Sequence, residues 1–166
     1  MRRSCALAVL LLAAVPALAQ PATPTPQALF RTTLLSDAGT SADVKAMLRS
    51  GRGFVEPAPA FADVTGDGKS DALVRVLTGG AAGAVAAYVF STDGTTSKRL
   101  RVVFRTQRLY RATLKVGTAH DLVVRTPLFA AGDALCCPSR ARERTYAWNA
   151  KTKRMRRIGS VEFPLT

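Results

Sequence analysis

At 166 residues, with 48% of them hydrophobic, the chain is long enough for one domain with its own core and too apolar for a disordered polyelectrolyte. It carries 24 Lys and Arg against 11 Asp and Glu, with one His, for a formal charge of +13. A single imidazole, His120, leaves a zinc centre and a Ser-His-Asp triad poorly supplied, and no glycine-framed nucleophile motif accompanies it.

At the N-terminus Arg2 and Arg3 precede an apolar run over residues 6–15, and Ala17-Leu18-Ala19 supplies a small-x-small cleavage pattern. This order predicts a signal peptide at residues 1–19 and an exported product, periplasmic or extracellular. The run is too short for a permanent anchor, and no later stretch reads as a transmembrane segment. Loss of Arg2 and Arg3 leaves a charge of +11, unevenly spread. Residues 20–94 hold six basic and seven acidic side chains, whereas residues 95–166 hold sixteen and four. Such asymmetry points to an anionic partner for the second half, against the plainer reading of a solvated arginine-rich surface.

Residues 20–28 form a Pro/Thr-rich leader, and residues 29–166 a single exported globular domain. Thr25-Pro26 can start a short helix through Leu29, Phe30, Leu34 and Leu35. A second helix is predicted from about Ser41 to Ser50, with Thr40 and Asp43 as a capping box and Gly51 as the stop. Pro57 and Pro59 interrupt regular structure. Residues 72–77 and 85–90 are nearly continuous apolar runs, as expected of strands covered on both faces, with turns at Thr78-Gly79-Gly80 and Asp93-Gly94. Three alternating strands follow, over residues 99–105, 110–116 and 121–125. A last hairpin pairs residues 145–148 with residues 155–161 through Asn149-Ala150-Lys151-Thr152. Trp148 belongs in the core and His120 in a turn or on the surface. The predicted class is α+β: a mainly antiparallel β-sheet (meander) with one or two short N-terminal helices.

Asp63, Asp67 and Asp71 stand at the first, fifth and ninth positions of a glycine-containing loop. Calcium takes six to eight oxygens from such a loop, with side chains at positions one, three, five and nine and a carbonyl at seven. The candidate ligands are therefore Asp63, Thr65, Asp67, the Lys69 carbonyl and Asp71. Val74 stands where an EF-hand has its bidentate Glu, so the loop is not an EF-hand; it resembles the loop-into-strand calcium motif of FG-GAP and VCBS repeats. The alternative is an Asp-Gly turn whose carboxylates accept backbone N–H groups without a metal.

After signal cleavage only Cys136 and Cys137 remain. Neighbouring Cα atoms sit about 3.8 Å apart, under the usual disulfide range. A vicinal bridge, a free or intermolecularly paired state, and redox or metal chemistry are all open readings, although Cys-x-x-Cys spacing is absent.

On the three alternating strands the cations oppose the apolar positions. If those strands are neighbours, Arg99, Arg101, Arg105, Arg111, Lys115 and Arg125 share one sheet face and ask for a balancing anion. No aromatic residue shares that face to stack bases, so a sequence-specific nucleic-acid target is not expected.

Taken in order, Phe61-Ala62-Asp63-Val64-Thr65-Gly66-Asp67-Gly68, Gly132-Asp133-Ala134-Leu135-Cys136-Cys137-Pro138-Ser139 and Tyr146-Ala147-Trp148-Asn149 resemble LppP/LprE-type secreted lipoproteins over residues 43–158. The resemblance implies an exported, non-enzymatic domain. The chain lacks a lipobox cysteine after its apolar run, so lipid anchoring is not carried over. The sequence thus predicts a non-catalytic exported domain, binding or envelope-structural, with a calcium loop. Two alternatives stand beside it: a polyanion- or lipopolysaccharide-binding protein using the basic face, and an envelope hydrolase using Asp63 and Asp67.

Overall fold

The computed structural model of the chain describes residues 24–92 and 100–165. The predicted signal peptide, residues 20–23 of the predicted leader, the Asp93-Gly94 turn and Arg99 lie outside the described residues.

Two helices lead. Helix α1 (Pro26–Ser36) begins inside the residues expected to be leader. Thr25 caps it by accepting the Ala28 N–H, and Pro26 takes the first helical position, where a missing N–H removes no bond. Helix α2 (Ala42–Ser50) is capped one residue later than predicted. Ser41 accepts the Val44 N–H, while Thr40 donates its hydroxyl to Asp37 instead. Gly51 ends α2 in the left-handed conformation, at φ 73°.

The predicted antiparallel character and α+β class hold, but the strands divide into two sheets instead of one. In the first, β3 (Asp71–Thr78), β4 (Ala84–Ser91) and β5 (Arg101–Gln107) pair in sequence. Two short strands missed in the sequence, β1 (Gly53–Val55) and β2 (Ala60–Ala62), pair with successive stretches of β3; Pro57 and Pro59 fall between them. The second sheet orders β6 (Thr113–Val116), β7 (Leu122–Leu128), β8 (Arg140–Asn149) and β9 (Arg154–Pro164). The β5–β6 connection turns through Arg108 and Arg111, both at positive φ, and is tied to the first sheet by Leu109 N–H to Val85 and Arg111 N–H to Ala82.

Alternation along β3 and β4 makes three layers. Val74, Val76, Ala86, Tyr88 and Phe90 pack with Phe30, Leu34, Val44 and Leu48 of the helices. Leu73 and Val89, on the opposite face, pack with Leu122 and Val124 of the second sheet, and Tyr146 and Trp148 cover them. Both faces of β3 and β4 are thus covered, which explains their unbroken apolar runs. On β5 the predicted strict alternation fails. A register shift opposite Val89 and Phe90 sends Val102 toward the helices, and both Val103 and Phe104 toward the second sheet.

A polar network fastens the helical layer. Gln107 Oε1 accepts from Ser41 N–H at 2.7 Å and from the Tyr88 hydroxyl at 3.1 Å, and Gln107 Nε2 donates to the Gly39 carbonyl. Burial raises the Tyr88 phenol to about 12, against a lowering contribution from its hydrogen bond with Thr40. The sign of the linkage follows. Below about pH 10 the phenol is protonated in both states and its contribution is full. Above that the unfolded chain releases a proton that the folded chain keeps, so stability falls as pH rises through the folded value. Denaturant midpoints from about pH 9 to about pH 11.5 are expected to drop less steeply for Tyr88→Phe than for the parent; equal slopes would refute the assignment.

Candidate functional site

The acidic loop folds around its own amides. Asp63 accepts the N–H groups of Gly66 at 2.6 Å, Asp67 at 3.2 Å and Gly68 at 3.0 Å. Burial pushes the Asp63 carboxyl upward, but the Gly68, Gly66 and Asp67 N–H groups outweigh it and hold the group below the usual range. Asp71 is buried and accepts from Val64 and Thr65, each at 2.9 Å, so it closes the loop onto the start of β3. Asp67 accepts the Lys69 N–H. Among the described residues, no three His, Cys, Asp or Glu side chains gather closely enough to hold a metal. Thr65 Oγ1, also a candidate ligand, is a buried hydroxyl without a hydrogen-bond partner. The loop also meets the second sheet. His120, at φ 58° in the β6–β7 turn, places Nδ1 2.6 Å from the Asp63 carbonyl.

Cys136 and Cys137 form a vicinal disulfide on an exposed loop between β7 and β8. Two residues hold this loop: Asp133, to which the sequence assigns no role, and Arg111, which it places on the basic face. Asp133 accepts the Ala130 N–H at 2.7 Å, the Ser139 N–H at 2.9 Å and the Ser139 hydroxyl at 2.8 Å. The Ser139 and Ala130 amides and that hydroxyl keep its carboxyl below the usual range. From outside the loop, Arg111 donates to the carbonyls of Leu135 and Cys136.

The predicted basic face does not form. Its strands are split between the sheets: Arg101 and Arg105 lie on β5, Lys115 on β6 and Arg125 on β7, while Arg111 sits in the connection. Several of these cations are also paired. Arg105 bonds Asp37 at 3.1 Å, Lys115 reaches Glu143 at 3.3 Å, and Arg125 lies over the Phe163 ring at 5.0 Å. Arg111 is occupied by the disulfide loop.

The concentration of positive charge lies in the β8–β9 hairpin, which is longer than the sequence predicts. Residues 140–164 contain eight Lys and Arg against Glu143 and Glu162. Arg140, Arg142 and Arg144 alternate on β8, opposite Pro164, Glu162 and Ser160. They continue the face that carries Tyr146 and Trp148 into the core, so this face runs from apolar to cationic. A bulge at Thr145 and Tyr146 shifts the register, so that Tyr146 pairs with Arg157 and Thr145 with Gly159. Without the bulge, Ile158 would occupy the place that Arg157 takes. Arg142, Arg144, Arg157, Ile158, Gly159, Ser160 and Glu162 line an open groove of about 540 Å³.

Charge within the groove is only partly balanced. Glu162 receives both Arg142, at 2.5 Å, and Arg140, at 3.1 Å. The Arg142 hydrogen bond, joined by the charges of Arg142, Arg140 and Arg144, holds Glu162 below the usual carboxylate range. Among the described residues, Arg144 and Arg157 have neither a hydrogen-bond nor an ion-pair partner. The sequence signal that could have located this surface is the Arg-x-Arg-x-Arg alternation of residues 140–144, which reads as one strand face.

No helix among the described residues is long and apolar enough to cross a membrane. Comparison with family models, with curated proteins and with solved structures finds no match to this chain.

Proposed function

We propose that this chain is an exported, non-catalytic domain that binds an anionic polymer or envelope component through the β8–β9 hairpin. The observation that carries this reading is the excess of cations over residues 140–164, six more than the acids, on a hairpin whose arginine face extends beyond the apolar core. Like charges set side by side on one sheet destabilise it, so a polyanion that neutralises them gains affinity and relieves that repulsion. The α+β body, with sequential antiparallel strands in each sheet, serves as a rigid mount. The resemblance to LppP/LprE-type secreted lipoproteins supports export and a non-enzymatic role. Retention on heparin is the test. The chain lacking residues 1–19 is expected to elute well above physiological ionic strength, and Arg154→Ala/Arg156→Ala, which removes two cations from the hairpin, is expected to elute earlier. Elution in low salt would reduce the hairpin to ordinary surface charge.

A second role is proposed for the acidic loop, as a seat for structural calcium. The unpartnered Thr65 hydroxyl favours it, because a buried oxygen with nothing to bond costs stability that an ion would restore. Binding would have to draw the Asp63, Asp67 and Asp71 carboxylates together around the ion with Thr65 and the Lys69 carbonyl, because as they stand they do not gather closely enough to hold it. Millimolar calcium is expected to raise the melting temperature and chelator to lower it, an effect set by mass action on the folded state. Coincident melts would leave a self-sufficient turn in which Asp63 and Asp71 serve the backbone alone.

A further inference from the structure

We infer that the groove on β8 and β9 is a discrete site for a phosphate group, built from Arg144, Arg157 and Ser160; this rests on the reading of the hairpin as an anion-binding surface and narrows it to a chemistry and an address. Three observations converge.

The first is geometric. Arg144 pairs across the ladder with Ser160, and Tyr146 with Arg157, so Arg144 and Arg157 are diagonal neighbours on one face. Diagonal neighbours across an antiparallel pair have Cβ atoms about 7–8 Å apart at most, within the reach of two long side chains converging on one ligand. The bulge at Thr145 and Tyr146 is what puts Arg157 on that face. A regular ladder would present Ile158 there and leave the groove with one fewer cation.

The second is electrostatic. Glu162 engages Arg140 and Arg142 together, which leaves that end of the groove with one positive charge in excess. Arg144 and Arg157 fall outside that pairing and have no bonded partner among the described residues. The guanidinium groups of Arg144 and Arg157, neither in a bonded pair among the described residues, therefore line one open concavity.

The third is chemical. One guanidinium can satisfy a planar carboxylate through its two-pronged fork, and Glu162 is already filled, taking Arg142 on one oxygen and Arg140 on the other. Two guanidinium groups approaching from different strands, with the Ser160 hydroxyl on the residue paired to Arg144, offer more donors than two carboxylate oxygens can use. A tetrahedral phosphate, with three or four accessible oxygens, can accept from both forks and from the Ser160 hydroxyl.

The test is calorimetric titration of the chain lacking residues 1–19 with inorganic phosphate at low ionic strength, with sedimentation on phosphatidylglycerol vesicles as a second arm. Saturable phosphate binding is expected. Arg144→Ala/Arg157→Ala is expected to weaken it about tenfold or more. Arg49→Ala/Arg52→Ala, which removes the same charge from around α2, is expected to change it less than about twofold. Thermal melts check folding. If the alanine pair melts early, Arg144→Lys/Arg157→Lys decides: it keeps the charge but loses the planar forks, and weakened binding in a stable protein supports the site. Binding to phosphate alone assigns a free phosphate group; vesicle retention released by added phosphate assigns a lipid phosphate. Either outcome supports the inference. Equal weakening by the two alanine pairs, or no saturable binding, overturns it. Heparin retention separates the two levels: retention with no phosphate site defeats this inference alone, whereas no retention defeats the broader reading as well.

Discussion

Replacing Phe90 with alanine is expected to remove about 3–5 kcal/mol of stability, among the largest losses a single core substitution causes. Phe90 is fully buried, with its ring centroid 4.9 Å from that of Phe30 and 6.3 Å from that of Tyr88. It is the contact through which α1 and β4 hold each other, and it sits at the β4–β5 bulge, where the backbone has little freedom to collapse into a void. Ring–ring contact adds to the burial it already supplies. For a domain of this size the loss should lower the melting temperature by roughly 10–20 °C. Chemical denaturation of Phe90→Ala beside Phe90→Leu, which refills part of the space, measures it. A loss under about 1 kcal/mol would mean that the helical layer is not packed on the sheet as described.

Glu56→Ala is expected to cost about 2–3 kcal/mol, although Glu56 touches neither core cluster. Its carboxylate accepts the Arg75 backbone N–H at 2.6 Å and, through the other oxygen, Arg75 Nε at 2.9 Å and Nη2 at 2.7 Å. The Glu56 N–H in turn donates to the Arg75 carbonyl. This clamp continues the β1–β3 ladder at the point where the prolines stop strand pairing. Removing the carboxylate strands a backbone amide and a guanidinium together. The Glu56 side chain is 6% exposed, but that of Arg75 is 33% exposed. Water can therefore take over part of the arginine's requirement, which places the cost below that of breaking a fully buried pair. Glu56→Gln keeps an acceptor for the Arg75 amide and should recover part of the loss. Equal melts for Gln and Ala variants would show that the amide bond contributes nothing.

How far the fold could be read from sequence depended on how far each segment sees the core. Strands β3 and β4 were legible because both faces are apolar, and α2 because Val44 and Leu48 share a stripe that ends at a glycine. The N-terminal half of β8 was not, because Ala141 is its one buried apolar residue and the Arg-Ala-Arg-Glu-Arg run carries no apolar period. The division into two sheets was equally hidden. Alternation fixes which way a side chain points on its own strand, but the identity of the neighbouring strand is settled by long-range packing. That is why alternation points the cations of β5, β6 and β7 outward on each strand without revealing that β5 belongs to a different sheet from β6 and β7. At the sites the same distinction holds. The loop carboxylates were evident from their spacing, whereas Asp133, Arg111 and Arg157 acquire their roles only through chain closure, a crossover and a bulge.

Strand β9 stands last in its sheet, eleven residues long, with its outer edge unpaired among the described strands. A free edge of that length is a template for a second copy, and proteins commonly guard such edges with charge. Arg154, Arg156 and Arg157 charge this strand, so mutual repulsion would oppose the addition of a second molecule strand to strand. An anion that cancelled those charges would remove the guard as well: on the proposed reading, crowding on a polyanionic scaffold would favour edge-to-edge dimers that dilute, salt-free solution would suppress.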